Sequence, residues 1–304
     1  MKDWEETHPV SIEKAQEKIE RFFPELKPIS IEHAGTGFDT TVYRVNKELV
    51  FRFPRQEKGL HAMENENKVL TYLQKNFFSS PYEVPAPLFY GQQEGEDFPF
   101  VGFSFVSGKE LAEEHDVNLL SKEVNNLAAF LSSLHQLPAA EMSLIPDELK
   151  RLSSQKRKPM LEEIFTEIAS ICDKSTIDMA HFYLKEIPEW ENPESTHFVH
   201  GDLHPKNIIA AENRISGIID WGDAHFGHPA SDLALLYQAV PQEFHRNFFD
   251  IYGPINEETR KLAIFKAVFL SAAVGRYAMY KGETHVIRWC HAGLKRSLET
   301  WFKD

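Results

Sequence analysis

One stretch constrains this chain more than any other: His200-Gly-Asp-Leu-His-Pro-Lys-Asn207, followed closely by Ile218-Ile-Asp-Trp-Gly-Asp223. Asp202 stands five positions before Asn207. The apolar pair Ile208-Ile209 comes next, then the turn-forming Glu212-Asn213, then the apolar run from Ile215 to Ile219. This order predicts a loop that opens into a β-hairpin, whose second strand delivers Asp220.

The spacing has a chemical reading. Phosphoryl transfer needs a carboxylate to orient or deprotonate the acceptor hydroxyl, and oxygen ligands that hold Mg²⁺ against nucleotide phosphates. Asp202 suits the first task. Asn207 and Asp220 suit the second, because Mg²⁺ prefers a few protein oxygens alongside phosphate and water. A rival reading takes His200, Asp202 and His204, at alternating positions, as ligands of a metal hydrolase, with His225 and His228 nearby.

The two motifs together carry a resemblance. Protein kinases show H-R-D-L-x-x-x-N followed by D-F-G; this chain has H-G-D-L-H-P-K-N and then D-W-G. With Gly201 in place of Arg and Trp221 in place of Phe, it resembles the aminoglycoside phosphotransferase family, small-molecule relatives of the protein kinases. The resemblance covers about residues 29 to 300 and is densest from 200 to 236. It implies a bilobal, kinase-like α+β fold. The small lobe, residues 1–107, has an antiparallel sheet and a packed helix and binds nucleotide; the mainly helical lobe, 108–304, carries catalysis and the acceptor.

Further correspondences follow from the same resemblance. Gly35 and Gly37, with Val42, match the glycine-rich turn over the phosphates, although Thr40 stands where a third glycine is expected. Arg52 takes the place of the strand lysine that grips phosphate, and Glu66 that of its helix partner, with Glu64 the alternative register. The backbone around Ser104 and Val106 is implied to meet the purine. Asp232 is implied to hold the catalytic loop and to cap the helix that follows. Gly37-Phe38, Val50 to Pro54, Pro99-Phe-Val-Gly102 and Gly217 to Ala224 look most like the aminoglycoside 2″-phosphotransferase branch. A macrolide or another small hydroxylated metabolite stays open as acceptor, and Glu243, Asp250, Glu283 and Trp289 are candidate contacts for a polycationic sugar. The implied cofactors are Mg²⁺ and ATP or GTP as phosphoryl donor. A catalytically silent nucleotide-binding protein is the remaining alternative.

Composition narrows the partners. The 304 residues carry a net charge of −13, which disfavours nucleic acid and anionic membrane surfaces. Cys172 and Cys290 form neither a metal-ligand spacing nor a disulfide framework and suggest a reducing compartment. The apolar stretch from Leu262 to Tyr280 is broken by Lys266 and Arg276, so it reads as a buried helix. With no apolar leader at the N-terminus, the expectation is a cytoplasmic monomer.

Along the chain, periodicity predicts helices over 11–23, 61–74 and 118–137, and a charged helical region over 139–197. Strands are expected at 29–45 (two, around the glycine turn), 48–54, 88–90 and 98–105, with Asn46-Lys47 as a turn. His135 reads as a structural residue at a helix end.

Overall fold

The computed structural model describes residues 9–37, 40–76, 80–92, 98–113, 118–138 and 146–303. The chain forms two compact units. The first comprises Met1–Phe78, Glu83–Ser107 and Ile218–Ala224; the second comprises Ser79–Tyr82, Gly108–Gly217 and His225–Asp304.

The first unit opens with α1 (Ile12–Phe22), where the Ser11 hydroxyl accepts the Lys14 N–H at 3.3 Å. That cap satisfies an N–H with no partner inside the helix. A five-stranded antiparallel sheet follows, from β1 (Ile31–Thr36), β2 (Thr40–Val45), β3 (Leu49–Pro54), β4 (Pro87–Gly91) and β5 (Phe100–Ser104), in the order β1-β2-β3-β5-β4. Asn46 and Lys47 turn β2 into β3 with φ of 52° and 65°. Two successive left-handed residues match the twist of a tight hairpin. Phe51 and Phe53 of β3 pack with Phe100, Ala15 and Ile19. Because side chains alternate along a strand, Arg52 between them leaves by the opposite face. There α2 (Glu57–Asn76) presents Glu66. This helix starts one turn earlier than its apolar periodicity predicts; Glu57 in the first turn suits the positive end of the helix dipole. Phe38 of the sequence motif lies outside the described residues.

The second unit contains β6 (Lys109–Glu110), α3 (Leu119–Lys122), α4 (Val124–His135), α5 (Ser154–Ile168), α6 (Lys174–Glu186), β7 (His197–Val199), β8 (Ile208–Ala211), β9 (Arg214–Ile218), β10 (His225–Gly227), α7 (Ala230–Ala239), α8 (His245–Tyr252), α9 (Glu257–Lys281) and α10 (Thr284–Lys303). The helix expected over 118–137 is two helices, broken at Glu123, whose φ −93° and ψ 5° leave the helical region. Among the described residues of the region 139–197, α-helix is confined to α5 and α6, which start at side-chain caps from Ser153 and Asp173, with a short 3-10 turn at Ala169–Ile171 between them. Strands β8 and β9 form the expected hairpin, turning through Glu212 and Asn213 at φ 52° and 60°.

Leu161, Phe165, Tyr183, Phe265, Val268 and Leu298 form the main helical core. Helix α9 is long and apolar enough to cross a membrane, yet 72% of that window is buried inside the fold. It is the central helix of this unit, and Gly282 at φ 72° ends it before α10.

Candidate active site

In the first unit the structure brings Arg52, Glu66 and Asp220 together. Arg52 donates from one guanidinium nitrogen to Glu66 and from the other to Asp220 Oδ1 at 3.1 Å. Glu66 is only 3% exposed, and its second oxygen accepts the Trp221 N–H at 3.1 Å. Burial works against the Arg52 charge, but the two carboxylates more than offset it and hold its pKa above the ordinary arginine value. Burial and the nearby Asp220 push Glu66 upward, opposed by the guanidinium. Glu64, the alternative register, is exposed on α2.

Asp220 adopts a left-handed backbone, φ 66° and ψ 63°. A non-glycine residue holds that conformation only where its surroundings enforce it. The enforcement is visible: Glu66 takes the next N–H, and Asn65 Nδ2 donates to the carbonyls of Gly222 at 3.0 Å and Ala224 at 2.7 Å. The Trp221 ring is fully buried. A Cβ on Gly222 would stand 3.2 Å from the Ala62 carbonyl oxygen, so the loop lies close against α2. Asn65 was not legible in the sequence; an amide on the same helix as Glu66 carries no motif.

Gly35 sits in β1 with open space where a side chain would stand. Gly37 is exposed, its N–H donating to the Thr40 carbonyl and its own carbonyl accepting from Arg55 at 2.7 Å. Ser104 is engaged by the sheet: its N–H donates to the Ala86 carbonyl at 2.9 Å and its hydroxyl accepts the Ala86 N–H at 2.8 Å. Val106 is buried, two residues further on.

In the second unit, the loop from His200 to Asn207 is built around Asp202. Its backbone is pinned by Asp232, fully buried, whose two oxygens accept the N–H groups of His200 and Gly201, both at 2.8 Å. His135 Nε2 lies 3.1 Å from Asp232 Oδ2, and its Nδ1 lies 2.7 Å from the Tyr252 hydroxyl. Asp232 is therefore not a helix cap. It lies inside the first turn of α7, whose N-cap is Pro229, and its carboxylate serves the loop. Burial would raise its pKa, but the bonds from His135 and the loop backbone pull it below the usual carboxylate range.

Asp202 keeps 31% of its side chain exposed, enough for a substrate hydroxyl to reach it. His204 Nε2 is 3.4 Å from Asp202 Oδ2, while His204 Nδ1 accepts the Lys206 N–H at 3.3 Å. That second bond puts the imidazole proton on Nε2, so His204 donates to the carboxylate. Burial would raise Asp202, but His204, Lys266 and His200 outweigh it and hold its pKa well below the usual range. Asn207 Nδ2 donates to the Asp202 carbonyl at 2.9 Å, which leaves the amide oxygen as the atom that could hold a metal. Asp220 and Asn207 each offer hard oxygen donors, the chemistry Mg²⁺ takes. Among the described residues, no group of three or more His, Cys, Asp or Glu is arranged to hold a metal, which removes the support for a histidine-ligated hydrolase centre.

Of the candidate acceptor contacts, Glu283 and Trp289 come to this loop. Glu283 pairs with Lys206 at 2.7 Å, and Trp289 lines a narrow recess with His204, Pro205 and Lys206. Glu243 and Asp250 are exposed near and on α8.

The motifs and the fold now meet the comparisons. The phosphotransferase enzyme family (APH) matches residues 30–264, and the chain belongs to that family. The GDP complex of wild-type aminoglycoside 2'-phosphotransferase-IIIa has the same kinase-like fold: TM-score 0.67 and 21% identity, over 95% of this chain and 99% of that one. Viomycin phosphotransferase of Streptomyces vinaceus is 27% identical over 170 residues, 53% of this chain and 58% of its own length. Acyl-CoA dehydrogenase family member 11 of Rattus norvegicus is 29% identical over 192 residues, 58% of this chain and 23% of its own length. The chain thus spans less than two thirds of these curated relatives.

Proposed function

We propose that this chain transfers the γ-phosphate of ATP or GTP to a hydroxyl of a small molecule, in a Mg²⁺-dependent reaction. The observation that carries the reading is Asp202: an ionised, partly exposed carboxylate, aimed by His204, on a loop whose backbone Asp232 fixes. Asp202 orients the acceptor hydroxyl and takes its proton. In a loose transition state that proton leaves late, so orientation counts as much as basicity. Residues 1–107 bind the nucleotide, with Gly35 and Gly37 against the phosphates, Arg52 held by Glu66 as the phosphate cation, and the backbone from Ser104 to Val106 beside the base. Asp220 and Asn207 hold the metal, which neutralises phosphate charge. Residues 108–304 supply the acceptor site.

The acceptor we assign is an aminoglycoside. The net charge of −13 suits a polycation, and the structural and sequence relatives named above include phosphotransferases of aminoglycosides and viomycin. The second reading, a macrolide or other small metabolite, draws on the apolar wall of the recess beside Lys206. The protein works as a cytoplasmic monomer, without nucleic acid or membrane.

Nucleotide consumption measured over aminoglycosides, macrolides and sugar or amine metabolites, with Mg²⁺ and each of ATP and GTP, tests the assignment. Asp202→Asn keeps the shape and removes the charge. It should lower kcat on the order of 10²–10⁴-fold with nucleotide affinity little changed. An Asp202→Asn protein at full speed would end the reading.

A further inference from the structure

Asp232 holds the catalytic loop at its N-terminal end, through the N–H groups of His200 and Gly201. The C-terminal end has a separate anchorage. Lys206, one residue before Asn207, places its Nζ 2.7 Å from Glu283 Oε2, between α9 and α10. The Lys206 side chain is 21% exposed and that of Glu283 29%. A charge-assisted bond so far withdrawn from water is screened much less than a surface pair. The same nitrogen lies 5.8 Å from the centroid of the Tyr277 ring, within cation–π range. Glu110 of β6 is close enough to interact with Lys206 as well, and it stands opposite Ile209 in the β6–β8 ladder.

Glu283 is a fixed point. Gly282, at φ 72°, reverses the chain, so that the Glu283 N–H returns to the Ala278 carbonyl at 2.9 Å. The Glu283 carbonyl accepts the Ile287 N–H at 3.0 Å in the first turn of α10. Its backbone is thus tied to both α9 and α10. What it holds is the turn that ends at Asn207. There the Lys206 N–H donates to His204 Nδ1 at 3.3 Å, and the Asn207 N–H to the His204 carbonyl at 2.9 Å. The Pro205 carbonyl accepts the Ala112 N–H at 3.1 Å. The first two bonds shape the turn, the third joins it to the segment after β6, and the Lys206–Glu283 pair joins it to the helices.

We propose that Glu283 is a positioning residue: through Lys206 it fixes the C-terminal end of the catalytic loop, and with it the amide oxygen that Asn207 offers to the metal. Glu283 is one of the candidate contacts for a polycationic acceptor, yet its charge is already met by an ammonium of its own chain. An acceptor ammonium would have to displace a partner that the loop holds in place. The metal role of Asn207 rests on the phosphotransferase reading; the anchorage of the loop does not.

Residue-resolved hydrogen exchange on the full chain, without nucleotide, tests the anchorage. In Lys206→Met and in Glu283→Gln the Asn207 and Ala112 amides should exchange about tenfold faster than in the parent, the size of one charge-assisted hydrogen bond. The His200 and Gly201 amides, held by Asp232, should keep their parent rates, whereas a general loss of stability would speed all four. Lys206→Arg keeps a charged donor and should hold the parent pattern. Lys206→Met/Glu283→Gln should be no worse than either single variant, because both remove the same bond. Calorimetric titration of ATP and of GTP at varied Mg²⁺ reads the consequence. The Mg²⁺ concentration for half-maximal nucleotide affinity should rise about tenfold in both single variants, as when a metal ligand loses an outer partner, and return in Lys206→Arg. Should the Asn207 and Ala112 amides keep parent rates in Glu283→Gln, or all four amides speed up together, the proposal falls. Faster exchange with an unchanged Mg²⁺ dependence would overturn the link from Glu283 to the Asn207 oxygen. A parent that binds neither nucleotide at any Mg²⁺ concentration counts against the phosphotransferase reading, and the exchange measurement still decides the anchorage.

Discussion

Asp232 Oδ1 accepts the backbone N–H of Gly201 at 2.8 Å, across 31 residues of sequence and with no exposure to solvent. The bond fixes the His200–Gly201 peptide, one residue before Asp202, so the position of the candidate base depends on a fully buried carboxylate. His135 and Tyr252 continue the chain of contacts behind it. Together they make the loop a product of α4, α7 and α8 and not of its own sequence.

Asp232→Ala leaves two loop N–H groups and His135 without their acceptor. Breaking a buried, hydrogen-bonded charge of this kind costs about 3–5 kcal/mol. Denaturant unfolding should show that loss, together with a kcat reduced more than KM, because the loop loses its aim. The pH dependence has a definite sign. The folded value of Asp232 lies below its unfolded value of about 3.9, so its stabilisation is complete above that pH and fades as pH falls through the acid range. A parent and an Asp232→Asn variant with equal acid sensitivity would contradict this account.

His228 gives a second window. Burial, followed by His197 and His135, lowers its pKa to about 4. The unfolded chain binds this proton from about pH 6.5 downward, while the folded chain does so only near pH 4. Between those values the unfolded state holds more protons, so stability falls as pH drops through the window. His228→Asn should flatten that part of the stability curve while leaving the region below it, where Asp232 titrates, unchanged. A thermal-melt series from about pH 2 to 8 separates the two.

Arg52 answers two carboxylates, and they differ in exposure. Arg52→Ala strands Glu66, which is 3% exposed, and should cost about 3–5 kcal/mol in stability as well as weakening nucleotide binding. Arg52→Lys keeps the charge but not the two-armed geometry, and should retain part of both. The double variant Arg52→Ala/Glu66→Gln should recover much of the stability and none of the nucleotide affinity. Calorimetric titration beside thermal melts checks both halves; recovery of affinity in the double variant would deny Arg52 a role in binding phosphate.

Asp220→Ala should abolish Mg²⁺-stimulated turnover and lower Mg²⁺-dependent nucleotide affinity at least tenfold, about 1.4 kcal/mol. Asp220 lies outside the core and its side chain is 46% exposed, so the melting temperature should change little. A retained Mg²⁺ requirement at near-parent rate would remove Asp220 from the metal site.

What the sequence determined by itself was local. The hairpins turned by Asn46-Lys47 and Glu212-Asn213 and the order of the two motifs are all written within a few neighbouring residues, where backbone preference and side-chain period act directly. The donor types followed too, because phosphoryl transfer needs carboxylate and amide oxygens whatever surrounds them. The tertiary structure decided what those groups touch. It selected Glu66 over Glu64 by the rotation of α2, drew Arg52 to Asp220 across 168 residues, and kept Asp232 as the support of the loop while giving the helix cap to Pro229. It also set Lys206 against Glu283, a pair 77 residues apart with no motif to announce it. Such pairings arise when packed helices and strands bring faces together, and a buried charge keeps the partner that packing supplies. Neither periodicity nor spacing along the chain encodes that choice.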